Sequence, residues 1–138
     1  MIRIALVGDI GSGKTFISKL FGYPVFNADE VVSKIYTQDK NTFIKLRTKL
    51  PTFFSKFPIK KEELIKAVIR NDKNIKIISA IVHPVVKKHL NIFLKKNKKN
   101  IVILDIPLFL ENKLNKKGDK IIFVQSKRDN ILKKIKIR

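Results

Sequence analysis

The chain has 138 residues, enough for one domain with a real core, and 44% of them are hydrophobic. A mean hydropathy of -0.06 argues against a disordered polymer, and the lack of cysteine excludes disulfides and thiolate metal sites. The net charge of +20 favours anionic partners, polyphosphates among them.

That charge has two readings. One is functional, an attraction for nucleotides, nucleic acid or acidic membranes. The other is compositional, because lysine, isoleucine, asparagine and phenylalanine share A/T-rich codons, and it is the simpler one. No apolar run approaches the ~18 residues of a membrane span, so a cytoplasmic chain with no membrane partner is expected. The apolar start leads straight into a motif rather than a leader.

Residues 2 to 7 form a compact apolar run, the pattern of a buried strand. After a glycine-rich turn, Phe16, Ile17, Leu20 and Phe21 recur at helical spacing, which predicts a helix over about 14 to 21. Residues 24 to 27 read as a short second strand, and Val31, Val32, Ile35 and Tyr36 give a second helical stripe. From 39 to 97 the pattern is helical, interrupted by a loop at 52 to 58 between prolines. Leu64, Ile65, Val68 and Ile69 make one stripe, and Ile77, Ile78, Ile81 and Val82 another. Pro84 is expected to open a further helix lined by Val86, Leu90, Phe93 and Leu94. Residues 101 to 105 and 121 to 124 read as third and fourth strands, and Ser126 with Asp129 suggests a capped final helix carrying Ile131, Leu132 and Ile135. Strands alternating with helices predict a parallel α/β sheet with the helical middle as an insertion.

Gly8, Asp9, Ile10, Gly11, Ser12, Gly13, Lys14 and Thr15 match G-x-x-x-x-G-K-[ST], between a predicted strand and a predicted helix. Glycines let the backbone turn several N–H groups toward one anion, and the helix dipole adds positive potential. Lys14 would reach the β- and γ-phosphates of ATP, the Thr15 hydroxyl would ligate Mg²⁺, and the cradle would run on to Phe16. The alternative is a glycine loop that binds nothing.

The remaining candidates are single residues. Asp29, just past the second strand, lies where ligands of open α/β sheets bind and could accept a proton from an attacking hydroxyl. It could equally be an ordinary acid in a first helical turn. Asp105 ends the third strand like an acid that helps hold Mg²⁺, or is merely a strand-terminating polar residue. Glu111 is a loop acid. His83 stands before Pro84, and a lone histidine is more often structural than catalytic. Most aromatics fall at core-facing positions rather than between lysines, which argues against nucleic acid as the partner.

Taken together, these residues resemble the dephospho-coenzyme A kinase family. The run 7 to 19 is similar to its P-loop. Val25, Phe26, Asn27, Ala28 and Asp29 resemble its strand ending in Asp-Ala-Asp, with Asn27 in place of the first acid. Ile81, Val82, His83 and Pro84 resemble its His-Pro element, and Lys61 stands where the family usually has arginine, keeping the charge but not the bidentate fork. Leu104 to Asn112 resembles its third-strand motif. The resemblance implies a P-loop kinase core with a helical acceptor-binding region at 37 to 97. It also implies transfer of the γ-phosphoryl of Mg·ATP to the ribose 3′-hydroxyl of dephospho-coenzyme A. Asp29 is implied as the base, and Lys61, His83, Pro84 and Asp105 as contributors to the acceptor site.

The sequence departs from the family after the fourth strand, where Ile131 and Lys134 replace lid residues and only Arg138 is kept. The family continues through a lid, a fifth strand and further helices, so residues 1 to 138 read as one kinase domain without its C-terminal part. An unpaired sheet edge and self-association are the expected consequences. Two other readings stay open: a small kinase for another metabolite or nucleotide, or an inactive fragment that binds ATP or nucleic acid.

Overall fold

The structure is a computed structural model that describes residues 1–8, 13–107, 109–110 and 112–124, with the Thr15 side chain also outside them. The elements run β1 (Ile2–Gly8), α1 (Lys14–Leu20), β2 (Val25–Asn27), α2 (Ala28–Gln38), α3 (Lys40–Lys49), α4 (Lys61–Arg70), α5 (Lys73–Lys96), β3 (Ile101–Asp105) and β4 (Lys120–Val124). The predicted final helix falls beyond the described residues. Two compact units result: Met1–Ala28 with the segment from Phe93 onward, and Asp29–Ile92.

The first unit is a sheet in the order β2-β3-β1-β4, with all pairings parallel. Parallel neighbours need crossover connections and bury both faces, which is why the strands read as continuous apolar runs. Val102, Ile103 and Leu104 of β3 are fully buried, as are Ala5 and Leu6 of β1. Leu6, Ile103 and Val124 form a core against which Ile4, Ile17, Val25 and Ile122 pack. Helix α1 therefore turns Ile17 and the buried Ser18 inward and leaves Phe16 and Leu20 each 68% exposed. The apolar stripe put the wrong side of this helix inward, because it is flanked by apolar residues on both sides and periodicity alone does not fix its phase.

One polar anchor lies inside this unit. Arg3, on β1, is buried with Nε 3.1 Å from Asp119 Oδ1, off the line of its N–H, and it donates through Nη2 to the Leu114 carbonyl at 3.3 Å. Asp119 in turn accepts from the Lys116 backbone N–H at 2.8 Å. The carboxylate so ties the connection leading into β4 back onto β1.

The second unit is all helical. Asp39 caps α3 by accepting the Thr42 backbone N–H at 3.0 Å, and Glu63 reaches back from α4 to the Lys60 N–H at 3.0 Å. Phe43 and Leu46 of α3, Leu50, Phe54 and Ile59 of the following loop, Ala67 of α4, and Ile78 and Val82 of α5 form its core. Asn74 is buried and donates its amide to the Ala67 carbonyl at 2.7 Å, fixing the start of α5 against the end of α4.

Pro84 does not open a helix. It sits inside α5, a single 24-residue helix. An interior proline removes the bond to the carbonyl four residues earlier and costs about 3 kcal/mol. Burial of Ile78 and Val82, within the turns just before it, keeps the helix running through that position. By length and composition α5 is long and apolar enough to cross a membrane. Dividing this stretch at Pro84 had hidden that length in the sequence.

Removing one member of a buried ion pair leaves the other charge without compensation, at roughly 3–5 kcal/mol. Asp119→Ala is expected to lower unfolding free energy by about that amount in urea titrations, whereas Arg3→Met with Asp119→Leu should recover most of it.

Candidate functional site

Because all the strands are parallel, their carboxyl ends share one edge, formed by Gly8, Asn27, Asp105 and Val124. Loops leaving that edge are where open α/β sheets hold ligands. The motif begins here. Asp9, Ile10, Gly11 and Ser12 lie outside the described residues, but both ends of the loop are seen.

Gly8 closes β1, and Gly13 is the N-cap of α1 with φ 89° and ψ 21°, a left-handed conformation. A side chain there would cost roughly 1–2 kcal/mol, so glycine is needed. The Gly13 carbonyl accepts the Ile17 N–H at 3.0 Å and starts the helix. Lys14 and Thr15 are the first two helical residues, and Lys14 is half-buried. Phe16, the last residue assigned to the cradle, is exposed.

Asp105 is buried at the end of β3, one step beyond the Ala5–Leu104 pair that joins β3 to β1. On its other side it is in register with Asn27, whose Nδ2 donates to Asp105 Oδ2 at 3.1 Å. Glu111 lies outside the described residues.

Asp29 begins the helical unit. No loop separates β2 from α2, and Asp29 and Glu30 fill the first turn of the helix, where the dipole favours acids. Asp29 is exposed and lies on the rim of a cleft of about 620 Å³ within this unit. Tyr36 of α2, Ile59, and Leu64 and Val68 of α4 line the apolar part, and Lys61 adds a cation at the first position of α4. Lys61 places one cation at that end of the cleft, beside the first-turn acids Glu62 and Glu63. His83 and Pro84 are exposed on α5 and are not among the residues lining the cleft. The cleft thus brings Asp29 and Lys61 together, but not the His-Pro pair.

Tyr36 had no place in the sequence reading beyond a helical stripe, and Ile59, just past the loop at 52 to 58, had none. The Tyr36 backbone carbonyl accepts the Ile59 N–H at 3.1 Å, which seats the segment before α4 against α2 and which no local pattern announces. Burial pushes the Tyr36 phenol above its ordinary pKa.

A parallel sheet whose first strand runs through a glycine–lysine loop into a helix defines the P-loop class of α/β proteins. A solved structure, TT1252 from Thermus thermophilus, superposes with a TM-score of 0.80 at 24% identity, covering 99% of this chain and 72% of that one. The chain belongs to the dephospho-CoA kinase family, whose profile matches residues 2–138. The dephospho-CoA kinase of Wolbachia sp. subsp. Brugia malayi is 36% identical over 127 residues, 88% of this chain and 65% of the relative. That of Brucella melitensis is 33% identical over 135 residues, 94% of this chain. The chain spans 65–66% of the length of these relatives.

The Tyr36 shift has a definite sign. A phenol held neutral by burial leaves stability unchanged below pH ~10 and lowers it as pH rises past that value through the folded-state pKa. Denaturant titrations should show the parent losing more stability between pH 9 and about pH 11 than Tyr36→Phe, which carries no titrating hydroxyl.

Proposed function

We propose that the chain transfers the γ-phosphoryl group of ATP to the ribose 3′-hydroxyl of dephospho-coenzyme A in the cytoplasm, the last step of coenzyme A synthesis. The reading is supported by the family match over residues 2–138, joined to a left-handed Gly13 that hands the motif directly to Lys14 at the sheet edge.

Lys14 and the loop amides hold the phosphates and neutralise charge as it shifts onto the leaving oxygen. Asp29 takes the proton from the attacking hydroxyl, an assignment that fits an exposed carboxylate on the rim of an apolar cleft. The stretch 37–97 receives the acceptor: its apolar cleft wall suits the uncharged arm of a coenzyme, and Lys61 suits a phosphate. His83 and Pro84 contribute to the acceptor site from α5. Both residues are exposed, which leaves their side chains open to a ligand.

Magnesium fits the donor chemistry here. Asp105 offers a buried carboxylate at the sheet edge, and the motif supplies the Thr15 hydroxyl, both hard oxygen donors. When bound, the ion would supply positive charge that offsets the charge of the phosphates. Among the described residues no group of three or more His, Cys, Asp or Glu side chains could hold a metal by itself. The phosphates and water would therefore complete the shell.

ADP release from Mg·ATP, with and without dephospho-coenzyme A, tests the reading. Release is expected to depend on the acceptor and to vanish in Lys14→Ala, while Asp29→Asn should lower turnover by about 10²–10⁴-fold with little change in ATP affinity. Release that ignores dephospho-coenzyme A but responds to another nucleotide or metabolite would reassign the acceptor. Turnover unchanged in Asp29→Asn would remove Asp29 as the base.

A further inference from the structure

The cleft of the helical unit contains a neutral polar group that the fold leaves unused. Tyr36 faces two ways: its side chain packs against the core built on Phe43 and Leu46, and the residue also lines the cleft with Leu64 and Val68. No group among the described residues hydrogen-bonds its hydroxyl. Nor is that hydroxyl sealed in, since the fully buried side-chain polar atoms without a partner are, among the described residues, Arg3 Nε and Thr42 Oγ1. The other hydroxyls on the wall differ. Thr37 donates to the Ser33 and Lys34 carbonyls, at 3.1 and 3.2 Å, and Ser33 is exposed to water.

A half-buried hydroxyl with no partner costs free energy that a phenylalanine of nearly the same shape would not. Packing alone therefore does not account for tyrosine at this position. Among the described residues the charges of the cleft sit on Asp29 and Lys61, and the rest of its wall is largely aliphatic. Such a wall does not suit a phosphate, but it suits an uncharged chain whose few polar groups each need one partner.

We propose that Tyr36 is a specificity-determining residue: its hydroxyl hydrogen-bonds an amide of the uncharged arm of dephospho-coenzyme A, so that the cleft prefers this acceptor to a nucleotide without an arm. The inference rests on the reading of the cleft as the acceptor site. A phenol serves an amide from either side, donating to its carbonyl or accepting from its N–H. Because the hydroxyl bonds nothing in the protein, its removal acts on acceptor binding and leaves the fold intact.

Calorimetry on the whole chain tests this with two acceptors, the ATP site being saturated with a non-hydrolysable analogue. One is dephospho-coenzyme A; the other is adenosine 5′-monophosphate, which keeps the ribose hydroxyl but has no arm. Tyr36→Phe should weaken dephospho-coenzyme A roughly 3- to 10-fold, the effect of one lost neutral hydrogen bond, and leave the monophosphate within about twofold. Its melting temperature should be no lower than the parent's, whereas a structural role would lower it and weaken both acceptors. A second readout keeps the hydroxyl in place. The chain has two tyrosines and no tryptophan, so in Tyr23→Phe the emission comes from Tyr36 alone. Pantetheine, the arm without its nucleotide, should change that emission saturably.

The proposal is overturned if Tyr36→Phe binds dephospho-coenzyme A within about twofold of the parent, or if it weakens both acceptors alike. It is equally overturned if pantetheine leaves the Tyr36 emission unchanged. A parent chain that binds the ATP analogue but not dephospho-coenzyme A would overturn the acceptor reading itself, and the proposal with it.

Discussion

The register of β3 between β2 and β1 is the constraint on which the rest of the phosphate edge depends. In a parallel sheet a slip of one residue exchanges the two faces of a strand. Such a slip would break the alignment of Asn27 with Asp105 and carry the fully buried Ile103 and Leu104 out of their places. The hydrophobic pattern of β3 is unbroken from Ile101 to Leu104 and therefore does not select a register by itself. Support comes from the ends. In this register Asp105 accepts from Asn27 Nδ2, and the Ile103 N–H bonds the Pro24 carbonyl at 2.9 Å just before β2. The same polar side chain that belongs to the candidate site thus helps align the strands that build it.

The helical unit solves a different problem. Its helices other than α5 are of 10 or 11 residues, lengths that are marginal in isolation, and they hold through caps and through burial on one side. Asp39, Glu63 and Asn74 each satisfy a backbone group at a helix end or junction. With the ends so tied, α2 and α4 can leave apolar side chains along a cleft instead of closing it completely. Ile65 and Ile69 remain 48% and 78% exposed on that wall.

Much of this was legible in the residue order because the strong signals are local. The phosphate loop is a contiguous motif with a strand before it and a helix after it, and β3 and its terminal acid stand out as an apolar run ending in a charge. What escaped was non-local or depended on competition between rules. Arg3 and Asp119 are 116 positions apart, and nothing in either neighbourhood announces the other. The Asn27–Asp105 bond requires knowing that the second strand pairs with the third, which the chain order does not state. At Pro84 the local preference for a helix start lost to tertiary burial of Ile78 and Val82. At α1 the phase was misread, since the helix is only seven residues long and a buried Ser18 sits among apolar neighbours.

The uninterrupted course of α5 through Pro84 bears on how that helix holds together. The carbonyl of Ala80 receives no helical donor from residue 84, so the helix is joined at that point by side-chain burial more than by its own ladder. Hydrophobic support of this kind comes from a limited set of residues in the helical unit, with Ile78 and Val82 before the proline and none as deeply buried after it on α5. The N-terminal turns are anchored through Asn74, and beyond Pro84 the support is Val86 against the helical core and Phe93, whose ring centroid lies 5.6 Å from that of Phe26. A helix that is continuous in structure is in this sense two segments in cooperativity, each answering to the contacts on its own side of the proline.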